Sequence, residues 1–350
     1  MRFIAYITKG LDRVVKQEIL EYVPSAEIQQ TSDKYLILRA PAESASTLLD
    51  LKTVDDIHYL LTFTEHNNKP DTDVVLENSS TDDVFKAVEL IRSIRTLDNT
   101  VSVTASRYKN DNIAKEDLKT TLGNRLASAL SFEYTPRDHS NLDIRVHVEK
   151  NNVIESVRLT EKPLYYREYK QHSREGSLKP SIAAALVRLT DPEPGDKLVD
   201  NFCGVGTILC EGVLQGVAPH GGDIDEQAVR YAKDHLRSFS RDWVRNVHNL
   251  DATDSKLPND YFDIAVSNIP WGEQLDLNAV ELYSQAVPEY KRILADTGSV
   301  VLLGPKPDLA EKHLKEQFPD HNVGKFRLGF LGQHPWVTFA YSPEKSLNMA

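Results

Sequence analysis

The sequence predicts an α/β protein. A doubly wound, Rossmann-like sheet with a terminal antiparallel hairpin should fill the C-terminal half, preceded by two α+β modules of which the first is ferredoxin-like. Three observations predict this. From Ser177 onward, short apolar runs alternate with helical patterns, the order that a parallel sheet with crossover helices needs. Residues 198–200 form an apolar lead ending in an acid, a glycine-bearing turn follows, and a helix opens at Thr207. Residues 1–65 read β-α-β-β-α-β, the split βαβ arrangement.

Taken in order, residues 3–8 alternate as a strand, and Val14, Val15, Ile19 and Leu20 recur at helical spacing after Gly10. Strands at 26–30 and 35–40 flank the Ser32-Asp33 turn, 42–51 is a short helix, and 57–64 closes the first domain, residues 1–65. The polar stretch 66–80 has no periodicity and reads as a linker opening a second domain, residues 66–170. There, Thr81 or Asp82 caps a helix bearing Val84, Val88, Ile91 and Ile94, and 101–106 is a strand. A helix from about Lys115 buries Leu118, Leu122, Leu126 and Leu130, and strands 142–149 and 153–159 meet at the Asn151-Asn152 turn.

The third domain, residues 171–350, starts with a helix at 180–190. The strand to Asp200, the helix from Thr207, the stretch Gly221-Gly222-Asp223-Ile224-Asp225 and a helix at 226–239 follow. Strands are expected near 244–250, 262–267 and 299–303, and helices at 280–294 and 308–318. A hairpin of 325–331 and 336–341, joined through 332–335, ends the domain.

A chain of 350 residues, 40% hydrophobic and 27% charged, is ample for two or three globular domains, and no apolar run approaches the roughly 20 residues a membrane span requires. The N-terminus turns polar too soon for a signal peptide. Cys203 and Cys210 make no disulfide framework and no zinc spacing, so a cytoplasmic protein without a bound metal is expected. The net charge of −11 argues against indiscriminate nucleic-acid binding. The charge is uneven, however: residues 84–175 hold 16 basic and 13 acidic side chains, and only there could a basic face form.

The turn after Asp200 excludes two common ligands. The third glycine of a dinucleotide fingerprint is replaced by Leu209, and no Gly-Lys-Ser/Thr follows to hold a nucleoside triphosphate. A ribose with a positive or neutral centre suits the turn better than a pyrophosphate. Further on, Asp263-Ile264-Ala265-Val266-Ser267-Asn268-Ile269-Pro270-Trp271-Gly272 is a short apolar strand ending in an amide, a proline and an aromatic ring.

Together, Asp-x-Phe-Cys-Gly-x-Gly-Thr-Ile and Asn-x-Pro-Trp resemble the S-adenosyl-L-methionine methyltransferases of amines. Among them they are most similar to the THUMP-domain guanosine N2-methyltransferases of tRNA. The usual family forms are Asp-Pro-Phe-Cys-Gly-Ser-Gly-Thr and Asn-Pro-Pro-Tyr or Phe, so this chain departs at Asn201, Val205, Ile269 and Trp271. The resemblance covers 177–343 well and 1–175 loosely. It implies a class I methyltransferase fold, S-adenosyl-L-methionine as cofactor, and a THUMP-like RNA-gripping module at 66–170. The implied substrate is a tRNA guanosine, with the acceptor-stem sixth position preferred to the tenth, and the implied state is a monomer.

On that resemblance, Asp200 and the amides of Phe202, Cys203, Gly204, Val205 and Gly206, with Thr207, would hold the amino-acid end of the donor. Asp223 would take the ribose hydroxyls, and Asp251-Ala252 would meet the adenine. Asp225 reads as a helix cap. Ser181, in a Leu-x-Pro-Ser-Ile-Ala-Ala run shared with the family, would line the donor pocket. Asn268 and the Ile269 carbonyl would accept from the two hydrogens of the target amine, Pro270 would fix that backbone, and Trp271 would offer a stacking face. Arg107, Lys109, Lys115 and Lys119, with Arg167 and Lys170 in the aromatic-basic run 165–172, are the candidate RNA contacts. Other readings remain open: a ribosomal RNA guanine-N2 or adenine-N6 methyltransferase, or a non-catalytic RNA-binding protein on a decayed methyltransferase fold.

Overall fold

The computed structural model describes residues 1–135, 142–271, 279–329 and 334–344, and of Ala279 the backbone alone. Gly272 of the amide-proline-aromatic stretch, and Phe330, Leu331, Gly332 and Gln333 of the expected hairpin, lie outside the described residues. The chain forms two compact units, Met1–Ile7 with Glu18–Leu164, and Thr8–Gln17 with Tyr165–Ala350.

Through the first 164 residues the elements are β1 (Arg2–Tyr6), α1 (Asp12–Tyr22), β2 (Glu27–Thr31), β3 (Tyr35–Arg39), α2 (Ala45–Leu48) and β4 (Asp56–Glu65). Then come α3 (Thr72–Asn78), α4 (Thr81–Ile94), β5 (Thr100–Tyr108), α5 (Lys115–Leu130), β6 (Glu133–Tyr134), β7 (Leu142–Glu149) and β8 (Asn152–Arg158). Their strands make one eight-stranded sheet in the order β2-β3-β1-β4-β8-β7-β5-β6. The strands of residues 1–65 and those of residues 100–158 therefore share a sheet, joined by the antiparallel β4–β8 pair.

Two local readings are corrected. The stretch 66–80 is not an unstructured linker. The Asp71 carboxylate accepts from Val74 N at 3.0 Å and caps α3, which buries only Val75, too little to leave a periodic signal. The helix expected at 42–51 is a 3₁₀ turn, Ala42–Ser44, followed by the four residues of α2.

The second unit carries α6 (Pro180–Arg188), β9 (Lys197–Asp200), α7 (Thr207–Leu214), β10 (Ala218–Asp223), α8 (Glu226–Arg237) and β11 (Val247–Asn249). It continues with β12 (Phe262–Asn268), α9 (Ala279–Ile293), β13 (Leu294–Gly304), α10 (Pro307–Gln317), β14 (Asn322–Arg327) and β15 (Trp336–Tyr341). The strand expected at 244–250 is short because Trp243–Asn246 form a 3₁₀ turn. The sheet order is β11-β10-β9-β12-β13-β15-β14, parallel from β11 to β13, with β15 antiparallel to both β13 and β14. Val199, Ala265, Val300 and Leu302 from this sheet pack with Tyr283, Val287, Tyr290 and Phe318 in one buried cluster. The strand order reverses between β9 and β12, and ligands of doubly wound sheets bind outside the carboxyl ends of the strands at such a reversal.

Candidate active site

β9 and β12 are adjacent and parallel, with Val199 beside Ala265, so Asp200 and Asn268 stand at the carboxyl edge of neighbouring strands. Asp200 is 1% exposed. Its Oδ1 accepts from Phe202 N at 3.0 Å and from Ser267 Oγ at 2.6 Å, and the Tyr290 hydroxyl lies 2.6 Å from Ser267 Oγ. With Ser267 donating its one hydrogen to the carboxylate, its oxygen is left to accept from the Tyr290 hydroxyl, and a buried chain of hydroxyls ends on Asp200. Asp200 Oδ2 has no partner. Burial pushes this carboxyl up to about 7 despite the bonds from Ser267 and Phe202, and Asp223 pushes in the same direction as burial.

The turn itself corrects one expectation. Four of its amides are bonded within the chain rather than turned as a free cradle into the crevice. Phe202 N donates to Asp200, Cys203 N to Gly222 O at 2.9 Å, Gly204 N to Asp223 Oδ2 at 2.9 Å, and Gly206 N to Cys203 O at 2.7 Å. A buried turn must satisfy its own backbone first. What it leaves without partners are side-chain atoms: Asp200 Oδ2, both polar atoms of the Asn201 amide, and Thr207 Oγ1. Buried polar atoms are normally paired, at a cost of roughly 1–3 kcal/mol each when they are not. This group fits a ligand with an ammonium and a carboxylate. Sequence reasoning noted Asn201 only as a departure from the family pattern; the amide directly after the strand-end acid was the available signal.

Asp223 ends β10, and its two oxygens hold Gly204 N and Asp225 N. Asp225 caps α8, as expected, through Gln227 N and Ala228 N, and pairs with Arg174 at 2.6 Å. Between the two acids Ile224 is 73% exposed, an apolar surface suited to a flat ring that the sequence reading did not single out. Asn249 Nδ2 clamps the carbonyls of Asp223 and Ile224 at 2.9 and 2.8 Å. Asp251 turns its Oδ1 to Thr253 N and Oγ1, which hold its carboxyl below the usual range, while Ala252 is buried. Ser181 is fully buried in α6. The Cys203 and Cys210 thiols are buried, which pushes both well up.

At the end of β12, Asn268 Oδ1 accepts from Trp271 Nε1 at 2.8 Å, and its Nδ2 donates to Gly176 O at 3.2 Å. Ile269 is buried, with its N bonded to Leu303 O. Pro270 follows without an N–H to compete for acceptors.

Arg167 and Lys170, expected among the RNA contacts, are engaged within the chain. Arg167 reaches the fully buried Glu211 of α7 at 3.0 and 3.3 Å, where Tyr169 also donates at 2.7 Å. The Lys170 ammonium donates to Leu178 O, and burial lowers it to about 8. Both turn inward because the segment bearing them is tied to α7. The four other cations lie in the first unit. Arg107 binds the carbonyls of Asp111 and Ile113, Lys109 lies 5.2 Å from the exposed Tyr108 ring, Lys115 is exposed, and Lys119 pairs with Glu116 at 2.9 Å.

Among the described residues there is no group of three or more His, Cys, Asp or Glu placed to hold a metal, and no helix long and apolar enough to cross a membrane.

Residues 167–334 match the model of an RMKL-like methyltransferase domain. The chain is 32% identical over 182 residues to a tRNA (guanine(6)-N2)-methyltransferase of Thermus thermophilus, covering 50% of this chain and 53% of that protein. It is 27% identical over 237 residues to the U6 snRNA (guanine-N(2))-methyltransferase THUMPD2 of Bos taurus, covering 66% and 44%. Over 161 residues it is 27% identical to a tRNA (guanine(10)-N2)-dimethyltransferase of Methanothermobacter thermautotrophicus, covering 44% and 47%. The chain thus spans about half the length of the curated relatives it matches. In fold it is similar to TrmN from Thermus thermophilus, with TM-score 0.75, 22% identity, and coverage of 97% of this chain and 99% of that one. It is likewise similar to SMU.472 complexed with SAH, with TM-score 0.71, 17% identity, and 99% of each chain covered. The second unit has the class I methyltransferase fold.

Proposed function

We propose that this protein methylates N2 of a guanosine in tRNA with S-adenosyl-L-methionine as donor, residues 167–334 matching the model of an RMKL-like methyltransferase domain. One observation carries the reading. An unpartnered buried carboxylate oxygen on Asp200 and an amide on Asn268 stand at the ends of adjacent strands, where the sheet order reverses. The named relatives act on guanine N2, and a neighbour in fold was solved with the demethylated donor.

Bound S-adenosyl-L-methionine supplies a methyl carbon made electrophilic by its sulfonium. Asp200 Oδ2 offers a counter-charge to the donor's ammonium, and the Asn201 amide and Thr207 hydroxyl offer partners to its carboxylate. Asp223 would reach the ribose with the lone pairs that Gly204 N and Asp225 N leave free, and Ile224 would pack on the adenine. These residues orient the donor. Asn268 Oδ1 and the Ile269 carbonyl accept from the two amine hydrogens and hold the nitrogen in line with the methyl group. With the donor bound, its methyl group would be within reach of the nitrogen that Asn268 and the Ile269 carbonyl hold, and the amine's surplus proton would leave to solvent. Orientation supplies most of the acceleration. Pro270 holds the acceptors together, and Trp271 offers a face to an unstacked base, worth roughly 1–3 kcal/mol.

The RNA-presenting part in this reading is the N-terminal portion, a ferredoxin-like domain at 1–65 and a THUMP-like one at 66–170, most of which lies in the first unit. Arg107, Lys109, Lys115 and Lys119 are its contacts. The preferred target is the acceptor-stem guanosine at the sixth position, the reading supported by the similarity to the tRNA (guanine(6)-N2)-methyltransferase of Thermus thermophilus. The protein acts as a cytoplasmic monomer.

The test is incubation with methyl-labelled donor and total tRNA, followed by digestion to nucleosides. Label should appear as N2-methylguanosine. Asn268→Ala should lower transfer at least a hundredfold with donor affinity within about twofold of wild type. Label only in ribosomal RNA would change the substrate, and a protein that binds no donor would refute the enzyme.

A further inference from the structure

The two partners of the Asn268 amide are each of one chemical kind. Trp271 Nε1–H can only donate, and it meets Oδ1 at 2.8 Å; the Gly176 carbonyl can only accept, and it meets Nδ2 at 3.2 Å. A flipped amide would set N–H against N–H on one side and oxygen against oxygen on the other. One orientation of Asn268 is therefore chemically allowed, and it is fixed from both ends. The pair at Trp271 depends on the residue being tryptophan, since a phenylalanine ring has no N–H and a tyrosine carries its hydroxyl at the far end of the ring.

The orientation matters because the substrate amine is itself a donor. It needs an acceptor from Asn268, and an amide free to rotate would present its NH₂ half the time. The indole takes one of the two lone pairs on Oδ1 and leaves the other. We infer that the Trp271 indole N–H and the Gly176 carbonyl are positioning groups that lock the Asn268 side-chain oxygen toward the target amine. This rests on the proposed methyl transfer and adds to it a second function for Trp271, distinct from its stacking face. It also assigns a role to residues 174–177, which reach the site from outside the sheet: Arg174 is held by Asp225, Arg174 N donates to Ser177 Oγ, and Gly176 O holds the amide.

The test separates the indole N–H from the ring. Trp271→Phe keeps an aromatic face and removes the donor. Single-turnover transfer should fall about tenfold, the worth of one hydrogen bond in positioning, with the donor Kd and the RNA KM each within about twofold. Trp271→Ala should lose more in rate and also raise KM. A structural readout accompanies this. In ¹⁵N-labelled protein, the indole resonance of Trp271, one of three tryptophans, should shift upfield in Asn268→Ala as its acceptor is lost. Wild-type rate in Trp271→Phe, or an indole resonance unmoved by Asn268→Ala, would overturn the lock. Should the wild-type protein transfer label to no RNA, the proposed function fails and the target-amine role of the lock with it, while the indole resonance still shows separately whether Trp271 holds Asn268.

Discussion

Asp200 makes the site sensitive to pH. Burial raises its carboxyl to about 7, against an ordinary value near 4. The raised value means that the folded protein favours the protonated acid. This contribution to stability is whole below the ordinary value and is lost as pH rises through 7. A ligand ammonium on Oδ2 has the opposite preference and selects the ionised form. Donor affinity should therefore tighten by about tenfold from pH 6 to pH 8 by calorimetric titration. Asp200→Asn should bind weakly and show no such slope. A flat wild-type profile would remove Asp200 from the donor site. Residue identity at this scale was legible: Asp200, Asp223 and Asn268 are where their motifs put them. The use of each hydrogen was not, since a motif does not say that Cys203 N is spent on Gly222 O.

At the scale of elements, α7 depends on its two ends being served differently. Gly206 precedes its first turn at φ 80°, and a Cβ there would come within 2.9 Å of the Ala232 methyl on α8, so the glycine serves both the turn and the helix contact. Deeper in α7, Glu211 is fully buried and binds Arg167 and Tyr169. Removing one partner of such a pair strands a buried charge. Glu211→Ala should cost about 3–5 kcal/mol of unfolding free energy in urea denaturation; a loss under 1 kcal/mol would mean that water already serves Arg167. The run 165–172 reads in sequence as alternating aromatics and bases. Arg167 and Tyr169 face inward on Glu211, far along the chain, and Lys170 on the Leu178 carbonyl, and the alternation of the run discloses neither partner. The helix α3 escaped for a simpler reason, a single buried residue.

For the whole molecule, a net charge of −11 means that the proposed RNA contact needs a local excess of cations. Residues 84–175 hold the excess of cations, and Lys109 and Lys115 stand exposed in the first unit. Lys115 lies in the first turn of α5, where a cation opposes the helix dipole and so adds nothing to helix stability. Replacing both lysines by glutamate should weaken tRNA binding by about tenfold or more near 0.1 M salt and flatten its salt dependence, with donor affinity unchanged. Unaltered RNA binding would move the interface elsewhere. The sequence by itself determined the alternation of strands and helices, the placing of two motifs at strand ends, and the class of reaction those motifs resemble, because these follow from local periodicity and turn chemistry. Tertiary structure alone decided the sharing of one sheet by the strands of residues 1–65 and 100–158, the commitment of Arg167 to Glu211, and the locking of Asn268 between Trp271 and Gly176. Each of these depends on a partner distant in the chain or on the direction in which a side chain points, and neither is written in spacing.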